Sequence, residues 1–79
     1  MKPALEWSDH THGESVVGAF LIDVTGKPNR GPWRSAVYSC KSCLVMSPMM
    51  NTSESAHRWA WNWIINAIRP VAQAEGWVK

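Results

Sequence analysis

Two cysteines and three histidines carry most of the chemical potential of this chain. Cys40-Lys41-Ser42-Cys43 is a C-x-x-C pair. A tight turn at that spacing converges two thiolates at the separation a tetrahedral metal needs. A zinc site would take two further ligands, and the chain's histidines are His10, His12 and His57. No second C-x-x-C and no H-x-x-x-H accompanies the pair. The simpler reading is two reduced cysteines facing each other across a hairpin turn and packing as small hydrophobes. A thioredoxin-like role would want the motif at a helix N-terminus in a βαβ unit, whereas the residues flanking it read as strands. His10-Thr11-His12 would aim two imidazoles the same way if extended, but its neighbours favour a solvated turn. His57 is expected to be partly buried with a backbone partner. No metal and no cofactor is assigned; Cys40, Cys43, His10 and His12 are the residues that would serve if a metal bound.

Lys27, Arg30 and Arg34, with Trp33 between them, form the one basic patch that has an aromatic neighbour. Stacking on Trp33 with phosphate contacts from the three cations would suit single-stranded nucleic acid. A solvated loop beside a core tryptophan is the plainer reading, and a net charge of +2 argues against a nucleic-acid partner. Serine, histidine and acidic residues occur without a spacing that assembles nucleophile, base and orienter. There is no phosphate-binding glycine loop. An enzyme is therefore not expected.

These side chains must be held by one small domain of 79 residues, near the lower size at which a single core suffices. Six tryptophans enlarge the area each buried residue can contribute. The polar start MKPALEWSDH lacks the apolar stretch of a signal peptide, and no apolar run is long enough for a membrane span. Two cysteines without an export signal suggest a reducing cytoplasm.

Alternation and β-branched content predict strands over about 4–8, 16–24, 33–40 and 43–46. DHTHGES (9–15) reads as a turn, and Val16 to Val24 as a central strand covered on both faces, with Gly18 marking a bulge or a close approach. Lys41-Ser42 reads as the turn before the fourth strand. A helix is expected over about 52–75. Asn51, Thr52 and Ser53 can all cap it, and Asn51 would place Glu54 at the reciprocal position of a capping box. Pro70 should kink or break it. The expected class is α+β: a four-stranded antiparallel meander packed against one C-terminal helix.

The helix is the chain's most informative stretch. Ser55, Arg58, Asn62, Asn66, Arg69 and Gln73 fall on one polar stripe at helical spacing. The remaining arc is apolar over roughly 240°, more than one core contact requires. Either the fold wraps the helix on two sides, or one side meets a second molecule. The second reading is favoured because so short a chain has little else to cover it. With the core centred on Ala60, Ile64 and Ala67, the contact would fall to Trp61, Ile65 and Ile68, with Trp59 in support.

Short strands, a turn and a helix opening S-E-S-A-H-R-W-A (Ser53 to Ala60) resemble the small accessory proteins of phages and prophages, some anti-CRISPR proteins among them. The resemblance is one of length and architecture. It implies a non-enzymatic protein that binds a host or phage macromolecule. The function expected is thus protein–protein interaction, with another protein or with itself as a homodimer. The alternatives are a zinc module using Cys40 and Cys43 with histidine, and a nucleic-acid binder using the 25–34 loop.

Overall fold

The computed structural model describes residues 3–27, 31–74 and 76. Five strands form one antiparallel meander in chain order: β1 (Glu6–Asp9), β2 (His12–Val17), β3 (Phe20–Gly26), β4 (Trp33–Ser39) and β5 (Ser42–Met46). Helix α1 (Ser53–Ala67) follows, then a short α2 (Arg69–Ala74). The class is α+β as expected, with five strands rather than four.

The extra strand comes from the stretch read as one central strand. Val16 to Val24 is a hairpin, folded at Gly18-Ala19, with Val17 paired to Phe20. Gly18 has φ +59, and a glycine with positive φ opening a two-residue loop is hairpin chemistry. Its near-continuous apolar character belongs to two half-covered strands, not one strand covered on both faces. Most of the expected 9–15 turn is β2, which begins at His12. The later hairpin also shifts by a residue. Cys40 and Lys41 hold positive φ values of 52 and 68, and Ser39 pairs with Ser42. The turn is therefore Cys40-Lys41, and Cys43 lies opposite Tyr38 rather than Cys40.

One face of the sheet carries the core. Val17, Ile22, Val24, Trp33 and Val37 from the strands meet Ala56, Ala60, Trp61, Ile64 and Ile65 from α1. Two tryptophans lie over cross-strand glycines on this face: Trp7 pairs with Gly13, and Trp33 with Gly26. A Cβ on Gly26 would stand 2.4 Å from the Trp33 ring. The strand glycine therefore exists to let the indole lie flat against the backbone. The Trp7 and Trp33 rings then meet edge to face, with centroids 5.7 Å apart. Ser15 Oγ and His57 Nε2, both buried, lie 2.8 Å apart and tie the sheet to the helix. His57 is thus buried, at 3% exposure, where partial burial was expected, and Ser15 is one of its partners.

Thr52, not Asn51, caps α1. Its hydroxyl accepts from the Ser55 N–H at 3.0 Å. Glu54 instead reaches forward to Arg58 at 3.2 Å. Pro70 does break the helix. It has no N–H to offer the Asn66 carbonyl, so α1 stops at Ala67, and Ile68, at φ −120, donates the last amide bond to Ile64.

Candidate interaction surface

The four helix residues expected to meet a partner are placed otherwise. Trp61 and Ile65 are buried in the core, at 9% and 6% exposure. Trp59 and Ile68 are half-buried and pack against that core, as does Trp63. The core line runs between Ala60 and Trp61 rather than along Ala60, Ile64 and Ala67. The shift is about half a residue step, roughly 50° around the axis. It draws Trp61 inward, while Ala67, at the end of α1, is exposed. Of the expected polar stripe, Arg58, Asn62, Asn66, Arg69 and Gln73 are exposed and Ser55 is half-buried.

The other sequence candidates do not converge on a site. Trp33 is buried at 7% exposure and cannot stack on a base. Lys27 is exposed, Arg34 is half-buried, and Arg30 lies outside the described residues. Cys40 and Cys43 are free and exposed. Among the described residues, no group of three histidine, cysteine or acidic side chains could hold a metal ion. His10 is exposed in the β1–β2 turn, while His12 faces the opposite side of the sheet from α1.

That opposite side is where unassigned features gather. Strand alternation sends one set of residues to the helix and the other set away from it. Three cross-strand rows follow from the register. One runs Glu6, Glu14, Asp23, Ala36, Met46; the second, Val16, Leu21, Tyr38, Cys43; the third, His12, Thr25, Arg34. Among the described residues, no helix covers them. Val16 is 66% exposed, and Met46 and Met49 are 52% and 57% exposed. Leu21 and Tyr38 are half-buried between them. The face is hollowed rather than flat. A cleft of about 510 Å³ lies among Glu6, Glu14, Val16 and Leu21, walled by Pro3 and Ala4. A second hollow of about 250 Å³ shares Leu21, and a third of about 110 Å³ shares Asp23 and Tyr38 with the second.

His12 is the electrostatic centre of the face. Its Nε2 lies 2.7 Å from Asp23 Oδ1 and 3.9 Å from Glu14 Oε1. The Asp23 contact is close without being a directed hydrogen bond. On its other side, Nδ1 lies 3.0 Å from Ser8 Oγ. Ser8, His12 and Asp23 thus stand in the order of a nucleophile, base and orienter, a constellation that sequence spacing did not reveal. The hydroxyl, however, donates to the His12 carbonyl at 3.1 Å, so its proton is engaged by backbone rather than by the base. The line works as a tie across three strands. Ser8 sits at the β1 irregularity between Trp7 and Asp9, which turns its side chain toward His12.

Among known proteins, no family model matches this chain, and neither the curated proteins nor the solved structures include a match. No helix among the described residues is long and apolar enough to cross a membrane.

Proposed function

We propose that this protein is a non-enzymatic protein–protein interaction module that works through the sheet face turned away from α1. The observation that supports this most is the exposure of Val16, Met46 and Met49 on one hollowed face beside Leu21 and Tyr38. Exposed apolar side chains scattered singly are ordinary, whereas a contiguous rimmed set marks a contact surface. The acidic row Glu6, Glu14 and Asp23 on the same face repels phosphate and weighs against nucleic acid. The free, exposed thiols of Cys40 and Cys43 suit a reducing compartment.

The test is site-specific photo-crosslinking in the cell of origin, with the absolute mass of the purified protein measured by light scattering under reductant. A crosslinker at Val16 or Met46 should give a discrete adduct, either a second protein or a dimer. The same group at Asn62, on the polar stripe of α1, should give none. Adducts at Asn62 and none at Val16 would return the contact to the helix.

A further inference from the structure

We infer that the occupant of this face is an extended basic segment of another protein, in which the residues at every second position are lysine or arginine toward one end and apolar toward the other. The inference rests on the proposed function and names the partner's chemistry.

The chain has six acidic residues and a net charge of +2, yet three of the six stand in one cross-strand row. Glu6 is directly opposite Glu14, and Glu14 is directly opposite Asp23. Like charges directly opposite each other on a sheet are destabilising. Among the described residues, the ring that stands beside the row is His12, at 2.7 Å from Asp23 and 3.9 Å from Glu14. Glu6 and Glu14 form part of the lining of the cleft of about 510 Å³, and Val16 and Leu21 stand with Pro3, Ala4 and Trp7 in its apolar wall. A cationic side chain entering there would meet two carboxylates at once while its aliphatic stem lay along Val16 and Leu21.

The rows continue this chemistry across the sheet. The acidic row becomes apolar at Ala36 and Met46, and the neighbouring row is Val16, Leu21 and Tyr38. A strand-like ligand places alternate side chains on the same face. Its cations would fall on the acidic part of the row and its apolar residues on the Leu21–Tyr38 hollows. Arg34 on β4 and Lys41 in the hairpin each line a hollow with Asp23, at the β3–β4 side of the face, and would orient such a ligand with its basic part toward Glu6 and Glu14 on β1 and β2. Charge arranged this way sets partner choice and encounter rate more than raw affinity.

The experiment uses three synthetic peptides and amide chemical shifts of the full chain. One carries arginine at every second position of one half and leucine at every second position of the other, with serine between them; one has glutamate in place of arginine, and one has glycine in place of leucine. The leucine–arginine peptide should move the amides of Glu14, Val16, Leu21 and Asp23, with affinity that falls as salt rises. The other two should bind about tenfold or more weakly. The E6Q/E14Q variant keeps side-chain volume and removes the like-charge row. It should fold as the parent does and lose about tenfold in affinity for the leucine–arginine peptide. Equal binding by the glutamate peptide, or shifts confined to α1, overturns the inference. So does no binding by any peptide. Should crosslinking from Val16 succeed in that case, the face stands as a docking surface and only its basic partner falls. Crosslinking that yields only a dimer of this chain replaces the basic segment with a second copy.

Discussion

At the residue scale, Trp61 illustrates the consequence of a small rotation about the helix axis. It is a core residue, so Trp61→Ala should act on stability rather than on partner contact. Loss of a buried tryptophan costs about 3–5 kcal/mol. Domains of this kind hold only about 0.05–0.15 kcal/mol per residue. Chemical denaturation should show Trp61→Ala destabilised by about 3–5 kcal/mol and Trp61→Phe by less. A stable Trp61→Ala would mean the indole is not in the core. Asp9 makes a second prediction. The Thr11 hydroxyl and backbone N–H both donate to its carboxylate at 2.7 Å and hold its pKa below the ordinary 3.8. A depressed carboxylate contributes stability that is present above the unfolded value and lost as pH falls through the folded one. The pH titration of the Thr11 amide resonance should therefore have its midpoint below 3.8. A midpoint at or above that value would show that the turn is not held by this carboxylate. Asp9→Asn should weaken the acid response.

At the element scale, the best-read part was α1 and the worst was the first half of the sheet. The helix was legible because its polar residues repeat at three and four over four turns. An interruption near Pro70 was legible because proline has no N–H, but the helix was expected to run to about 75 and α1 ends at Ala67. Its cap was ambiguous among Asn51, Thr52 and Ser53, and only backbone geometry chose Thr52, at φ −133 and ψ 153. Thr52→Ala should cost about 0.5–2 kcal/mol, while Asn51→Ala should change stability little. Equal losses in the two variants would undo the cap assignment. The missed hairpin at Gly18 has a clear cause. VVGAFLIDV alternates only once it is cut after Val17, and a turn of two small residues leaves no polar mark in a sequence.

At the scale of the molecule, the cysteines are the test of what holds the fold. Neither reaches the core, and both are exposed on the β4–β5 hairpin. Both should react with a thiol reagent in the native protein, and a chelator should leave the thermal midpoint unchanged. A midpoint that dropped on chelation would require a metal-supported fold. The sheet presents a second organisation beyond its core. One side is closed by α1, and the other carries hollows around Asp23. The excess apolar surface that the composition implied is present, but much of it belongs to the uncovered face of the sheet rather than to the helix.

The sequence alone determined the α+β class, the presence of the long helix, its polar stripe and an interruption near Pro70; that the interruption is a break, with α1 ending at Ala67, came from the structure. What the sequence determined follows from local periodicity and from backbone chemistry that no tertiary contact can repeal. The sequence also identified Trp33 as better suited to a core than to stacking on a base. The tertiary structure decided which part of a wide apolar arc faces inward, because that depends on the angle at which α1 meets the sheet. Cross-strand register brought Glu6, Glu14 and Asp23 into one row and set His12 beside Ser8 and Asp23. Those residues are separated along the chain and become neighbours only when strand pairing closes the distance.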